Sequence, residues 1–417
     1  MKKLILLYFA LLSTPLFAQD SLLIEYLRSN TQAIALDKGQ LSGPGADLLT
    51  SAGAQASFFL IGESHGLAET PQWSAALFRA FKKYGYRYYA TETGPYTAEF
   101  IQSMAAQDNY PQEVAAFLKT YPWSMPFFGW GEEWMLVDAV MEDAKGDEAL
   151  IWGLDQEFAA SFRMHFKRLM EQATTAESQK IAKDYYELCV SLYTEFVTTK
   201  NPGKSFMMSA QPEDFQKLRT AFQGQIQSLD LIRELEESAQ IYQLWSSRET
   251  YRSNCIRAEM MKKHFCQYYT VAKEREKQPK VLFKFGLNHM FRGASALNIY
   301  DIGNFVSELA SQEQSESFHL VVLGRKGTVN AYTPFSSNKA DQQKSYDALE
   351  SYREFGVASI LAATSETEAS VVDFRPLRKA LFDRVLKVEN AMMERMIWSY
   401  DAILVLPEVH ASSYLGK

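Results

Sequence analysis

The chain has 417 residues with a formal net charge of −7, 47% hydrophobic residues, 27 Phe and 22 Tyr. That apolar content argues for a sizeable core and against disorder, and the acidic balance argues against nucleic acid or an anionic membrane as the main partner. Cys189, Cys255 and Cys266 show no Cys-x-x-Cys or zinc-ribbon spacing and read as apolar side chains packed in helices.

Met1-Lys2-Lys3 precedes an apolar stretch from Leu4 through Phe17, with Leu16 and Ala18 placed as a cleavage site expects. Residues 1–19 therefore read as a signal peptide, its apolar core shorter than the roughly 18 to 20 residues of a membrane span. Export to a bacterial periplasm or beyond is expected, with the charge going from −7 to −9 as Lys2 and Lys3 leave. No later stretch is long and apolar enough to cross a membrane, so no stable membrane insertion is expected.

Residues 20–417 read as one α/β domain in three parts: 20–155, a helical insertion 156–276, and 277–417. An amphipathic helix around Ser21–Leu36 and a polar Gly/Pro loop at Gly39–Ala46 lead into a strand at 57–62. A helix from about Pro71 to Lys83 carries Trp73, Ala76, Leu77 and Ala80 on one face, and Tyr86–Thr93 is the second strand. A crossover of this length suits parallel pairing. Residues 95–148 read as helices broken by the aromatic loop Tyr121–Trp130, and 149–155 return as a strand. Gln156 to about Glu276 shows only helical periodicity, with breaks at Thr199–Gly203 and Gln211–Pro212. Strands at Lys280–Gly286 and Phe318–Leu323, a long helix near Phe374–Trp398 and a last strand at Ala402–Leu406 follow. The expected architecture is a mainly parallel β-sheet flanked by helices, with the insertion covering its carboxyl edge.

Four apolar runs end in chemistry-bearing residues: Ser57–Ile61 in Gly62-Glu63-Ser64-His65-Gly66, Tyr88–Thr91 in Glu92, Leu150–Leu154 in Asp155, and Val281–Gly286 in His289. Parallel strands bring such ends to one edge, where open α/β sheets place their sites. Glu63 beside His65 suits a carboxylate that fixes and activates an imidazole, and Glu92 needs a partner such as His65, His289 or a metal. Asp155 reads equally as a site residue and as the N-cap of a helix beginning at Gln156 and Glu157. Lys284, inside a buried run, reads either as a side chain that snorkels to solvent or as one that reaches a functional carboxylate. Trp123 and Trp130 in the aromatic loop read either as walls of a pocket for a bulky apolar small molecule or as core beneath a loop. Gly62–Gly66 also fits Gly-x-Ser-x-Gly, which leaves a Ser64/Asp155/His289 triad open.

At these residues the chain resembles the erythromycin esterase/ChaN-like superfamily, through Gly62-Glu63-Ser64-His65, Glu92, Gly153-Leu154-Asp155, Asn288-His289 and Tyr400–Val409. The esterase branch implies hydrolysis of an ester or lactone by a water that His65 deprotonates, with Glu63 or Glu92 orienting the imidazole and His289 assisting. Such general-base catalysis calls for an imidazole pKa near neutrality. Lys284 or Arg292 would steady the oxyanion, with Asn288 and Asp155 on the substrate. Glu63 and His65 stand one residue closer than in the esterase branch, as in the haem-binding ChaN-like branch. The Arg-Asp-x-x-Met segment that the resemblance implies is best matched by Arg252-Ser253-Asn254-Cys255-Ile256. The alternatives are a haem or metal binder without turnover, and a hydrolase like the TraB/TIKI metalloproteases, with Glu63, His65, Glu92 and His289 holding a divalent metal.

Overall fold

A computed structural model describes residues 21–146, 148–199, 201–333 and 344–416. The expected signal peptide, 1–19, lies outside them.

The strands, in chain order, are β1 (Thr31–Ala33), β2 (Ala35–Asp37), β3 (Gln40–Ser42), β4 (Ala56–Glu63), β5 (Tyr86–Thr91), β6 (Ile151–Gly153), β7 (Lys280–Gly286), β8 (Glu316–Gly324), β9 (Thr328–Asn330), β10 (Ser345–Asp347), β11 (Ser370–Asp373) and β12 (Ala402–Leu406). Eight of them form one sheet in the order β1-β11-β12-β8-β4-β7-β5-β6. From β12 to β6 every neighbouring pair is parallel, whereas β11 runs antiparallel to β12, and β1 antiparallel to β11. All eight residues of β4 are buried, as a strand covered on both faces requires. The six parallel strands are those expected from the apolar runs.

Helices cover both faces. Residues 21–29 form α1. It is followed by α2 (Pro44–Gln55), α3 (Glu69–Lys82), α4 (Pro95–Ala105), α5 (Tyr110–Thr120) and α6 (Trp134–Met141). Between β6 and β7 come α7 (Phe162–Gln172), α8 (Ala176–Thr199), α9 (Phe206–Ser209), α10 (Pro212–Ala221), α11 (Ile226–Ser246) and α12 (Thr250–Lys273), with no strand among the described residues. These helices build their own apolar cluster around Phe162, Phe166, Phe206, Phe215 and Leu231. The main core packs Phe58, Phe59, Tyr88, Trp152, Phe265 and Phe283 on the sheet. The chain closes with α13 (Ile302–Gln312), α14 (Ala358–Ala363), α15 (Arg375–Phe382) and α16 (Ala391–Ser399). No helix among the described residues is long and apolar enough to cross a membrane.

Several expectations are corrected. The first helix stops at residue 29 because Thr31–Ala33 pairs with β11. The loop 39–46 contains β3, which forms a hairpin with β2, and the start of α2. The single helix expected near Phe374–Trp398 is two: Arg384 has φ 59°, and Asn390 restarts the helix by accepting the Met392 and Met393 N–H groups. Cys189 is buried in α8, but Cys266 on α12 is exposed.

Candidate active site

The register of the sheet sets the site's frame. Glu63, the last residue of β4, lies beside Gly286 of β7, and Thr91 of β5 beside Lys284, so Glu63, Glu92 and the turn after β7 emerge on neighbouring strands. The turn after β4 is tight. Gly66 has φ 91°, and a Cβ there would meet the Asn330 carbonyl oxygen at 2.4 Å.

His65 is held from both sides. Its Nδ1 lies 3.0 Å from Glu63 Oε1 and its Nε2 3.2 Å from Glu92 Oε2. Glu92 is the hub: Oε2 also accepts the Gly286 N–H at 2.7 Å, while Oε1 meets His289 Nε2 at 3.3 Å and Arg257 Nη2 at 2.8 Å. His289 stands in the short turn Leu287–Met290, with its Nδ1 2.8 Å from Asp301 Oδ2. Asp301 in turn caps α13 through the Ile302 N–H. Arg257, on α12, forks onto Asp155 with Nε to Oδ1 at 2.8 Å and Nη2 to Oδ2 at 2.5 Å. Behind Glu63, Lys284 Nζ donates to Glu63 Oε1 at 2.6 Å and to Glu133 at 2.9 and 3.0 Å.

Burial works against a charged imidazole, yet the adjoining Glu92 and Glu63 carboxylates outweigh it and push His65 up to about 9. Burial likewise opposes charge on His289, but Asp301 and Glu92 raise it to about 10. Glu92, despite its burial, is held well below the carboxylate range by the two imidazoles, and Glu63 is lowered chiefly by Lys284. Glu133 goes the other way: burial outweighs Lys284 and lifts it to about 7. His65 is therefore an imidazolium at neutral pH in the resting site, not the near-neutral base anticipated from sequence.

The expected residues Glu63, His65, Glu92, His289 and Asp155 come together, and the rest of the sequence's candidates are redistributed. Asp155 is no helix cap, since α7 begins only at Phe162. Glu157 instead accepts the Tyr96 and Thr97 N–H groups at the start of α4 and meets His165 Nε2 at 2.7 Å. Lys284 is 4% exposed and turned to the two carboxylates behind the site, so it cannot face an oxyanion. Arg292 leaves the site altogether and pairs with Asp401 at 2.9 Å. Asn288 stands beside His289, its buried Oδ1 making no hydrogen bond. Ser64 Oγ pairs with Ser351 Oγ at 2.7 Å, and His289 turns to Glu92 and Asp301, so no Ser64/Asp155/His289 triad assembles.

The aromatic loop divides between a cleft wall and packing beneath the loop, with Trp123 and Trp130 on the packing side. Phe127, in a left-handed backbone conformation with φ 66°, stacks on the His65 ring at 3.9 Å and 17°. Trp123 and Trp130 do not line the cleft but back the loop, against Tyr414 and Tyr332. Phe127, Phe158, Tyr242 and Tyr332 wall a cleft of about 310 Å³ whose floor carries Glu92, Asp155 and Arg257. The insertion thus contributes a wall and a cation at the carboxyl edge.

The residues proposed to hold a divalent metal or an axial haem ligand do not fit that role. Both nitrogens of each imidazole meet carboxylates, of which Glu63 is engaged by Lys284, Glu92 by Arg257 and Asp301 by the Ile302 N–H. Among the described residues, no group of three or more His, Cys, Asp or Glu side chains is disposed to hold a metal ion.

Sequence reasoning missed Arg257, Glu133 and Asp301. Arg252, the arginine singled out, is mostly exposed and pairs with Glu249 at 3.3 Å. Five residues on, Arg257-Ala258-Glu259-Met260-Met261 has the implied Arg-x-x-x-Met spacing, a signal that was available. Glu133 and Asp301 carried no such mark.

No protein-family model matches the sequence, and no curated protein matches it. Solved structures do. A succinoglycan biosynthesis protein aligns over 95% of this chain and 99% of its own, with TM-score 0.59 and 13% identity. A Bacillus cereus protein aligns over 95% and 99%, with TM-score 0.57 and 13% identity. A variant of erythromycin esterase EreC in its open conformation aligns over 92% and 99%, with TM-score 0.58 and 13% identity. At that identity the likeness is one of fold: over nearly its whole length, this chain has the α/β fold of erythromycin esterase EreC and of the succinoglycan biosynthesis protein.

Proposed function

We propose that the protein is a hydrolase that cleaves a carboxylic ester or lactone of a small molecule with a water activated by His65. The observation that carries this reading is the imidazole clamped between Glu63 and Glu92 under the Phe127 ring, beside a cleft floored by Glu92 and Arg257. The fold shared with erythromycin esterase EreC supports it.

In this mechanism His65 Nε2, which lies 3.2 Å from Glu92 Oε2, gives up its proton to solvent, parts from that carboxylate as the water enters, and then takes a proton from the water. The water oxygen bonds to the carbonyl carbon, the ester C–O bond breaks, and the proton passes on to the leaving alkoxide. Glu63 and Glu92 hold the ring and stabilise its charge, and His289 steadies Glu92. Arg257 takes the oxyanion role that neither Lys284 nor Arg292 is placed to fill. Its Nε and Nη2 are spent on Asp155 and Glu92, which leaves Nη1 for the developing charge.

The test is turnover of an ester and lactone panel by wild type and His65→Ala, with folding followed by circular dichroism. Loss of turnover in a folded variant is expected; full residual activity would overturn the mechanism. With a base at about 9, only about one molecule in a hundred is active at pH 7, so the rate should climb with pH up to that value. Export is part of the proposal, and amino-terminal sequencing of protein from a periplasmic extract should begin after Ala18 or Gln19.

A further inference from the structure

The cleft holds two buried polar atoms that the catalytic reading does not use, Gln156 Oε1 and the Tyr332 hydroxyl, and the first is an acceptor only. Gln156 is 6% exposed and lines the cleft, yet its Oε1 makes no hydrogen bond. A buried carbonyl oxygen left without a donor is costly, and a ligand donor would remove that cost. The charged groups nearby offer a ligand nothing comparable, because Asp155 and Glu92 are already engaged by Arg257. An ionic ligand therefore finds no unpaired counter-charge of full strength, whereas an O–H group finds a waiting acceptor.

The walls specify the rest. Phe127, Phe158, Tyr242 and Tyr332 present ring faces and edges, and at the mouth Trp245 on α11 is 58% exposed although it is the largest apolar side chain type. Rings on the walls with an amide acceptor between them suit a flat molecule with C–H faces and hydroxyl edges. A plain hydrocarbon would fill the same space but leave Gln156 Oε1 unpaired.

Resting on the hydrolase reading above, we propose that the substrate is an ester of a neutral, hydroxylated ring, with Gln156 accepting one of its hydroxyls and Trp245 stacking on its face. A sugar-like or polyol ring meets this description; a simple aliphatic or charged ester does not.

The experiment compares methyl glucoside 6-acetate with cyclohexylmethyl acetate, which has a similar ring and no hydroxyls. Turnover is measured for the full chain and for Gln156→Leu and Trp245→Ala. In parallel, saturation-transfer NMR follows binding of methyl glucoside, which has no ester to cleave. The inference expects the glucoside ester to be preferred, with Gln156→Leu raising its KM about tenfold and leaving the cyclohexylmethyl ester unchanged. Equal or better use of the cyclohexylmethyl ester, or no binding of methyl glucoside by wild type, overturns it. Binding of methyl glucoside that Gln156→Leu weakens, with neither ester cleaved, upholds the ligand class and rejects ester hydrolysis. Trp245→Ala changes an exposed residue, so it decides the matter by loss or retention of glucoside binding if Gln156→Leu does not fold.

Discussion

Lys284 Nζ lies 2.6 Å from Glu63 Oε1, the same oxygen that meets His65 Nδ1 at 3.0 Å. One carboxylate oxygen is thus shared between a buried lysine and the proposed base, and Glu133 competes with Glu63 for that lysine. Lys284 and Glu133 are positioning residues in this scheme, acting on His65 through Glu63. Glu133→Gln commits the lysine's charge to Glu63, weakens the pull of Glu63 on His65, and should move the rising limb of the pH–rate profile to lower pH by about one unit or less. Lys284→Met moves it up. Because that variant leaves the buried Glu133 without a cation and Glu63 with His65 alone, it should also cost about 3–5 kcal/mol of stability. A limb unmoved in both folded variants would show that the lysine is purely structural.

Gly286 is where the backbone comes closest to the paired site. A Cβ built there meets His65 Nε2 at 2.8 Å and Glu92 Oε2 at 3.2 Å. Both are ends of side chains, so Gly286→Ala should fold, yet it must push the imidazole off its carboxylate. Displacements of this size cost about 10²-fold when geometry is critical. Kinetics beside a thermal melt would check this: kcat falling while Tm holds within a few degrees supports the paired geometry, and wild-type kcat rejects it.

The legible part of this fold is the part that burial dictates locally. Six parallel strands are continuous apolar runs, and their polar ends marked Glu63, His65, Glu92, Asp155 and His289 before any partner was known. The edge strand β1 and its neighbour β11 escaped because three or four residues such as Thr31–Ala33 carry no readable period. Arg257, Glu133 and Asp301 escaped for another reason. Arg257 and Glu133 become part of the site only through partners far along the chain, 165 residues away for Arg257 and Glu92 and 151 for Lys284 and Glu133, whereas Asp301 lies 12 residues from His289 across an irregular loop with no period to read. Periodicity says which face of a helix is buried, not which charge waits on the other side. The imidazole's basicity was hidden too, since it depends on a second carboxylate that only the sheet register delivers.

His319 should set the acid limit of stability. It is buried on β8, with Nδ1 2.7 Å from the Met290 carbonyl oxygen and Nε2 3.0 Å from Ser317 Oγ, a pairing that suits the neutral ring. Burial, helped by Arg292, lowers it to about 3. Between that value and its unfolded value near 6.5, only the unfolded chain binds the proton, so stability is complete above about 6.5 and falls as the pH drops toward 3. His65 and His289 act in the opposite sense: their stabilisation is complete below about 6.5 and is lost as the pH rises through about 9 and 10. Urea midpoints against pH should therefore peak near neutrality. His319→Asn, whose amide can still donate to Met290, should flatten the limb between pH 6.5 and 4; an unchanged limb would assign acid lability to the carboxylates instead.

Two arginines five residues apart on α12 give the sharpest test of the site's composition. Arg257 reaches Asp155 through two nitrogens and Glu92 through one of them, a fork that an ammonium cannot reproduce. Arg257→Lys keeps the charge but must release one carboxylate or the other. If Arg257 both holds Glu92 for His65 and His289 and meets the oxyanion, kcat should fall about 10- to 100-fold, with a smaller change in KM. Arg252→Lys should do nothing, because among the described residues its ion pair is an exposed one to Glu249. Equal losses in the two variants would mean that the helix, not the fork, matters. A silent Arg257→Lys beside an active Arg252→Lys would move the catalytic arginine out of the cleft and take the proposed oxyanion site with it.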